Sequence, residues 1–521
     1  KNQVLNMKVL PKAICKFQAV GVPMFCMQTY EMTGVVKQKL VSNKLAQKNR
    51  WKQLMVQLFD LFKAKFGTDI TSIADTNYLE EPRGHYVANP MPLMRPKTTQ
   101  QVSDIICFCN IKNVGVVPFA GGTGLVGGQI MKSDLPIILL SVERMQAVRN
   151  IWPDENVITV EAGAILENVQ KAADEVDRLF PLALASQGSC RIGGNLATNA
   201  GGVQVLRYGN ARDLCLGIEA VLPDGSIFNG LKRLRKDNTG YDIRHLLIGS
   251  EGTLGIITAA CLKLFPKPHE TVTGLLTVAD PSAGVKLLSD LQSKLDGSVT
   301  AFELIHKQSY NFMKETLPHI RIPYQVLPEW SILIEVSGGK NSDLKNRLMM
   351  ALEASMETEL VLDALIAQSQ TQAQEFWRLR ENIPEANRLI GSISSHDISL
   401  PISLIPKFIE EMPPLLAELG DLRINCFGHL GDGNLHYNVY PPQGKTRDDF
   451  EAIRTKIKCI VHDKTHAFDG SVSAEHGIGR LKVDDLEKYG DPTKLMAMQA
   501  IKYALDQNGI MNPGAVLKKK D

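Results

Sequence analysis

Hydrophobic and polar positions follow two short periods along this chain, one typical of strands and the other of helices. An amphipathic run from Trp51 predicts a first helix. The stretch up to Pro268 predicts five further elements, which are strands at 114–119, 136–142 and 157–162 and helices at 99–110 and 165–177. Asp224-Gly225 lies between two apolar runs and predicts a hairpin turn. These elements favour two small α/β layers over one long parallel sheet.

The pattern starts again after Pro266-Lys267-Pro268. It predicts strands at 271–278, 299–304 and 331–336 and helices at 282–295 and 342–354. Helices that alternate with single strands are typical of an α+β domain with one sheet face covered. We therefore predict a unit at 51–267, a second unit at 268–470 and a C-terminal segment at 471–521.

Composition narrows the class of protein. The chain has 521 residues, of which 44% are hydrophobic and 22% charged, as in ordinary globular proteins. A net charge of +2 gives no reason to expect nucleic acid as a partner, and no run approaches the roughly 20 apolar residues of a membrane span. The nine cysteines are scattered without a Cys-x-x-Cys pair, which favours a reducing compartment and excludes an iron–sulfur site.

The first 50 residues differ from the rest, with nine Lys or Arg against the single acid Glu31. Charge asymmetry of this kind predicts a basic N-terminal extension at 1–50. A mitochondrial targeting segment and a variable tail both remain open, because Arg50 and Ser42 are its only arginine and serine.

Three glycine-rich segments carry the first chemical signal. Gly122, Gly124 and Gly127 match Gly-x-Gly-x-x-Gly, but the chain then reaches Pro136 without room for the helix that a Rossmann site requires. A bare glycine loop can still bind phosphate through successive backbone N–H groups. Similar segments at 186–202 and 249–258 predict backbone that follows a long phosphorylated ligand.

A second signal lies near the C-terminus, where His429, His436 and Glu475 form a candidate three-ligand metal site. Two imidazoles and a carboxylate suit zinc or a similar divalent ion and leave positions open for substrate oxygens. His476 or Asn438 would then act on what the metal binds. His462 and His466, four residues apart on a predicted helix, form a competing motif without a third ligand, and a solvated helix face is the alternative.

The glycine-rich segments, with 206–213 and 236–241, resemble the FAD-binding domain of the vanillyl-alcohol-oxidase (PCMH-type) superfamily. Residues 429–438 and 473–479 resemble its D-2-hydroxyglutarate and D-lactate dehydrogenase branch. The resemblance spans about 88–517. It implies an α+β protein with a PCMH-type FAD-binding domain at 51–267 (core about 88–267), built from two small α/β subdomains. A substrate (cap) domain at 268–470 and a helical C-terminal segment that completes the active site follow.

The resemblance also implies which residues contact FAD. The cofactor is expected to be non-covalent, because the first glycine loop contains no His to which it could be linked. The implied contact residues are Gly121, Gly122, Thr123, Gly124, Leu125, Ser189, Gly193, Gly194, Asn195, Thr198, Asn199, Gly201, Glu251, Gly255, Ile256, Ile257 and Asn512. One departure is visible, because Gly122 stands where relatives commonly have Asn.

The active-site roles follow from the same resemblance. His429, His436 and Glu475 correspond to the metal ligands, with zinc expected, and His476 to the catalytic base and a substrate contact. Asn438 is a polar group beside the substrate, and Arg380 is the candidate for gripping a substrate carboxylate. Ser395 replaces a Lys that is common in relatives, and Pro384 stands where some have Thr.

The resemblance implies a flavin-dependent dehydrogenase that oxidises a D-2-hydroxy acid, with D-2-hydroxyglutarate favoured, to the 2-oxo acid. A D-lactate or glycolate dehydrogenase or oxidase is one alternative, and a protein that binds FAD and metal without turnover is another. The expected partners are a separate electron acceptor, either an electron-transfer flavoprotein or a quinone-linked protein, and a second copy in a homodimer. We expect a soluble intracellular protein, cytoplasmic in a bacterium and in the mitochondrial matrix in a eukaryote.

Overall fold

The computed structural model describes residues 51–84, 86–133 and 135–518. The predicted basic extension at 1–50 lies outside the described residues. The described residues from Leu54 onward form one compact unit. Among the described residues, no helix combines the length and the apolarity that a membrane span requires.

The first sheet has four strands, β1 Thr71–Ile73, β2 Pro92–Met94, β3 Gly115–Phe119 and β4 Ile137–Ser141. Their order is β1-β2-β4-β3, and the last three are parallel. The helices of this part are α1 at residues 51–66, α2 Thr76–Leu79 and α3 Thr99–Lys112. Helix α3 begins after Thr98, whose side chain accepts the Gln101 amide, and ends at the left-handed Asn113. Strand β3 leads directly into the first glycine loop.

The second sheet is antiparallel, with strands β5 Val148–Trp152, β6 Val157–Glu161, β8 Cys215–Val221, β9 Ile227–Gly230 and β10 Ile256–Lys263. Their order is β5-β6-β10-β8-β9, and a separate pair joins β7 Arg178–Leu179 to β11 Phe265–Pro266. The helices are α4 Leu166–Asp174, α5 Ile192–Ala197, α6 Val205–Tyr208 and α7 Ile243–Leu247. Gly225, at φ +89°, forms the predicted hairpin turn between β8 and β9.

The third sheet is antiparallel and has seven strands, β12 Glu270–Val278, β13 Val299–His306, β14 Trp330–Gly338, β15 Asp363–Ile366, β16 Asp397–Ser399, β17 Arg423–His429 and β18 Asn434–Tyr440. Their order is β15-β12-β14-β13-β17-β18-β16. The helices are α8 Pro281–Lys294, α9 Lys307–Thr316, α10 Leu344–Glu357, α11 Gln370–Glu381, α12 Ile383–Ile390, α13 Ile405–Ala417 and α14 Glu451–Ala467. Helices α15 Val483–Tyr489 and α16 Pro492–Leu505 follow in the C-terminal segment.

The two faces of the seven-stranded sheet differ. One face, with Leu435 among its residues, packs against the apolar sides of α8, α10, α13 and α14. On the other face, Phe427 and Tyr440 pack with α9, α11 and α12. Because side chains alternate along a strand, His429 and His436 share the face of Phe427 and Tyr440. The two candidate histidine ligands therefore lie on the same face as this second core.

The predicted α+β fold class is confirmed by these sheets and helices. Element edges differ from the sequence expectation by a few residues, as where the strand predicted at 299–304 continues to His306. Strand β5 was not predicted, because its half-exposed residues give no clear alternation. The change from β11 to β12 falls at the predicted Pro266 boundary, while the domain limits themselves stay a prediction.

Candidate functional site

The three candidate metal ligands come together in the folded chain. One ligand atom from each of His429, His436 and Glu475 lies within 4.8 Å of the others. The β17–β18 hairpin brings the two histidines together, and Gly433, at φ +86°, supplies a backbone conformation in its turn that other residues rarely adopt. Tetrahedral zinc with bonds near 2.1 Å separates its ligands by about 3.4 Å, so this donor set fits such an ion after small adjustments.

A buried carboxylate orients the first of these ligands. His429 Nδ1 donates to Glu303 Oε1 at 2.7 Å, which leaves Nε2 facing Glu475 Oε1 at 3.1 Å. Burial alone would lower the pKa of His429, but Glu303 and Glu475 raise it to about 10. Burial alone would likewise raise the pKa of Glu303, but His429 and Arg380 lower it to about 2. A carboxylate behind a histidine is the usual outer support of a metal ligand.

His476 is held by a second buried carboxylate, that of Asp397. The Nδ1 atom of His476 lies 3.1 Å from Asp397 Oδ2, and the same oxygen accepts the backbone N–H groups of Glu475 and His476 at 3.0 Å each. Burial lowers the pKa of His476, although Asp397 opposes the shift. The ring is therefore neutral at neutral pH, and with Nδ1 donating to Asp397 its Nε2 is the atom that can accept a proton.

The structure places Asn438 and Arg380 beside these groups. Asn438 is buried on β18, and its Oδ1 accepts the backbone N–H of His396 at 3.0 Å. Arg380, only 5% exposed, directs Nε and Nη2 to Glu303 Oε2 at 2.9 and 2.7 Å. These contacts hold the Glu303 carboxylate in place, and Glu303 in turn orients His429. The carboxylate-gripping role stays a prediction, with Nη1 as the nitrogen outside that ion pair.

The first glycine loop fits a phosphate-bearing cofactor. The five successive backbone N–H groups of residues 121–125 donate no hydrogen bond to another described residue. A Cβ at Gly121 would lie 2.6 Å from Ser189 O, so glycine is required where the loop touches the second glycine segment. Unpaired N–H groups in a side-chain-poor loop are the donors that a pyrophosphate needs.

The second glycine segment packs against this loop. Gly193 donates to Ala162 O at 2.7 Å, and a Cβ there would lie only 2.7 Å from the Ala162 side chain. The Asn195 side chain is buried and its Nδ2 has no acceptor among the described residues, as expected of a group that awaits a ligand. Beyond it, Thr198 bonds back to Gly194, Asn199 Oδ1 accepts the Arg212 amide, and Gly201 packs on Val205.

Glu251 joins the cofactor region to the segment that carries the base. Its carboxylate accepts the amides of Ile478 and Gly479 at 2.7 and 2.8 Å, and a Cβ at Gly477 would lie 2.7 Å from it. Gly128 lies close by, since its Cβ would be 3.3 Å from Glu251 Oε2. The glycine loop and the Glu475–His476 segment are therefore adjacent. After Glu251 the chain passes Gly255 and enters β10, and Gly255 and the first two strand residues, Ile256 and Ile257, are buried.

Arg480 ties the same two regions together. Its Nη1 donates to the carbonyls of Gly127, Gly128 and Ile130 at 2.9 Å each, and its Nη2 to Asn512 Oδ1 at 2.6 Å. Asn512 also donates to the carbonyls of Gly128 and Glu251. The Asn512 side chain is thus committed to protein contacts, which support the loop from behind.

Replacing Arg480 by Met is expected to weaken FAD binding about 10- to 100-fold, because several carbonyls that hold the glycine loop lose a charged donor. The measurement is the dissociation constant for FAD from fluorescence quenching, with circular dichroism as a check on folding. Arg388→Met is the matched control, since Arg388 is exposed and pairs with Glu385 on the same helix. Unchanged FAD affinity in a folded Arg480→Met protein would contradict this role.

The competing histidine motif, His462 and His466, lies outside the three-ligand cluster. His462 and His466 lie on α14 as predicted, but His462 is buried beside Asp485, whereas His466 is exposed. The solvated-face interpretation therefore holds for His466 and is wrong for His462. Among the described residues, the cluster of His429, His436 and Glu475 is the only group of three that could hold a metal ion.

Sequence reasoning missed Glu303, Asp397 and Arg480. A signal existed for Glu303, since it is the one acid in β13 and apolar residues flank it on both sides. Asp397 is remote in sequence from Glu475 and His476, to which it is hydrogen-bonded. No local sequence pattern therefore indicates that these residues are its partners. Ser189 was predicted as a cofactor contact, and the structure places it exposed where the two glycine segments touch.

Comparisons with known proteins identify the family of the chain. The family model described as FAD binding domain matches residues 90–230, and FAD linked oxidases, C-terminal domain, matches 267–516. An Oryza sativa subsp. indica protein named "Probable D-2-hydroxyglutarate dehydrogenase, mitochondrial" is 37% identical over 451 residues, which cover 86% of this chain and 78% of that protein. A Schizosaccharomyces pombe protein whose name proposes a mitochondrial D-lactate dehydrogenase is 34% identical, covering 89% and 90%.

Solved structures share the fold at low identity. That of p-cresol methylhydroxylase superposes with a TM-score of 0.70 at 15% identity and covers 89% of this chain and 97% of its own. This structural similarity confirms the expected PCMH-type fold. The family membership of the chain rests on the sequence relatives. The chain belongs to the FAD-linked oxidases, in the branch of the D-2-hydroxyglutarate and D-lactate dehydrogenases.

Proposed function

We propose that this protein is an FAD-dependent dehydrogenase that oxidises a D-2-hydroxy acid, in the first place D-2-hydroxyglutarate, to the 2-oxo acid. One observation carries the proposal. The Glu251 carboxylate binds the segment of Glu475 and His476 and lies against Gly128 of the glycine loop. A candidate base and a candidate metal cluster therefore adjoin the backbone that suits a flavin pyrophosphate.

The residues divide the chemistry between them. A bound FAD supplies a hydride acceptor, and a divalent ion held by His429, His436 and Glu475 supplies a Lewis acid for the substrate oxygens. His476 Nε2 takes the proton of the C2 hydroxyl, while Asp397 holds the ring in place and stabilises the charge that results. Asn438 presents its amide on the same sheet face as His436.

Electrons must leave the reduced flavin for a separate acceptor, because the nine cysteines provide no Cys-x-x-Cys pair for an internal iron–sulfur centre. An electron-transfer flavoprotein or a quinone-linked partner suits that task. D-lactate is the second candidate substrate, favoured by the similarity to the Schizosaccharomyces pombe protein and by the uncharged Ser395 on the site face.

Anaerobic bleaching of the flavin by a panel of D-2-hydroxy acids tests the function. We expect D-2-hydroxyglutarate to bleach the absorbance near 450 nm, the approximate maximum of oxidised flavin, faster than D-lactate or glycolate. Bound FAD that no member of the panel bleaches would overturn the proposal in favour of a binding protein without turnover. Rapid reoxidation by oxygen would identify an oxidase instead.

A further inference from the structure

The candidate metal ligand Glu475 and the candidate base His476 lie on a segment outside the helices and strands. This segment, residues 471–482, lies between α14 and α15 and is named the base loop. Loops are more mobile than helices and strands unless specific contacts hold them. The placement of the ligand and the base therefore depends on the contacts that the base loop makes.

The two limbs of the base loop are anchored to different parts of the molecule. The first limb, residues 471–474, pairs with β16 through an isolated bridge at Ser471. The second limb, residues 478–482, binds Glu251 and Val126 in the N-terminal half of the chain through four backbone N–H groups. A contact between the limbs is therefore needed to fix the residues at their junction.

The Lys482 side chain makes that contact. Lys482 is the last residue of the second limb, and its Nζ donates to Val472 O at 2.9 Å and to Ser473 Oγ at 3.2 Å. The Ser473 hydroxyl in turn donates at 2.5 Å to the carbonyl of Gly477, the residue directly after His476. The ammonium thus joins the two limbs, and the hydroxyl extends this link to the residue that follows the base.

The charge of Lys482 strengthens the link. Hydrogen bonds that a charged group donates are roughly twice as strong as neutral ones. Lys482 is partly buried, and burial lowers its pKa, while Asp397 and Asp485 oppose that shift. A polar group removed from water also needs hydrogen-bond partners, because it is costly to bury without them. Both effects favour the contact between the limbs.

Arg480, two residues before Lys482, serves a different site. Its guanidinium donates to the carbonyls of Gly127 and Gly128 in the glycine loop. The Lys482 ammonium instead joins the limbs of the base loop. Loss of the ammonium removes none of the bonds between the second limb and Glu251. The effects of the two cations on FAD and on the metal should therefore be separable.

We propose that Lys482 is a positioning residue that holds the metal ligand Glu475 and the base His476 in place by joining the two limbs of the base loop. The inference rests on the proposed function and extends it to a residue outside the three-ligand cluster. Loss of Lys482 should weaken metal binding and slow flavin reduction while FAD binding is retained. This is the reverse of the pattern expected for Arg480→Met.

The test is Lys482→Met, which keeps an unbranched side chain and removes the ammonium. Zinc affinity is measured by competition with a chelator, FAD affinity by fluorescence quenching, and flavin reduction at saturating zinc and D-2-hydroxyglutarate. We expect zinc binding and flavin reduction each to worsen about 10- to 100-fold, the range for loss of an outer support of a metal ligand. The dissociation constant for FAD should change less than about threefold. Lys482→Arg should recover part of both losses, because it restores a charged donor.

Lys488→Met is the matched control, since Lys488 is an exposed lysine of α15 that pairs with Asp463. Ser473→Ala is a milder second variant, because it removes the hydroxyl but keeps the bond from Lys482 to Val472 O, and it replaces Lys482→Met if that protein does not fold. It should weaken zinc binding by a smaller factor. In the double variant the two losses should combine to less than their product, since both act on one link.

Unchanged zinc affinity and flavin reduction in a folded Lys482→Met protein would overturn the proposal. Equal losses of zinc and FAD affinity would also overturn it, because they would indicate a general structural role, and so would a wild-type protein that binds no zinc. A wild-type flavin that no hydroxy acid reduces would sink the proposed function alone. The zinc affinities of the wild type and of Lys482→Met would still decide the role of Lys482.

Discussion

Replacing His476 by Gln is expected to slow flavin reduction by about 100- to 10,000-fold, the range for loss of a general base. Glutamine keeps a polar side chain of similar length but cannot accept the C2 hydroxyl proton at neutral pH. FAD and metal should remain bound, because the His476 side chain is outside the three-ligand cluster and the loop is held through backbone N–H groups to Asp397.

The measurement is anaerobic stopped-flow reduction under saturating D-2-hydroxy acid, together with the FAD and metal content of the purified protein. His466→Gln is the control, since His466 is exposed on α14. A His476→Gln protein that retains both cofactors and reduces its flavin within about threefold of wild type would exclude His476 as the base.

Local pattern was sufficient for most of the fold. Helix α3 was predictable because Thr98 caps its start and its apolar residues recur with helical period, and the β8–β9 hairpin because Gly225 suits a left-handed turn. The arrangement of the strands was not predictable, because the pairs β13–β17 and β16–β18 join residues far apart in sequence. Such pairing is decided by burial across the whole sheet rather than by any one segment.

The site shows the same division. The spacing of His429, His436 and Glu475 indicated the metal ligands. The supporting carboxylates were not indicated, because Glu303 lies 126 residues from His429 and Asp397 lies 79 residues from His476. No local pattern links residues at those separations. Arg380 illustrates the consequence, since its motif suggested a substrate contact while the fold places Glu303 against its guanidinium. The outer supports of a site become visible only when the strands are assembled.

Removing the metal is expected to slow flavin reduction by about 100-fold or more, since the Lewis acid supplies several kcal/mol to the transition state. The sharper form of this experiment is His436→Ala. Glu303 supports His429, whereas no carboxylate among the described residues pairs with the His436 ring in that way, so loss of His436 removes a ligand without breaking the Glu303–His429 ion pair. Burial lowers the pKa of His436 to about 4, which leaves the ring neutral and ready to bind a cation.

The metal content of His436→Ala is measured after dialysis by inductively coupled plasma mass spectrometry, and flavin reduction is measured before and after zinc is added. We expect chelated wild type to recover with zinc and His436→Ala to stay slow at zinc concentrations that restore wild type. His462→Ala is the control, because it deletes a buried imidazole outside the three-ligand cluster and should keep its metal. Wild-type reduction that persists after complete removal of metal would overturn the metal-assisted mechanism, because His476 would then deprotonate the hydroxyl without help from a cation.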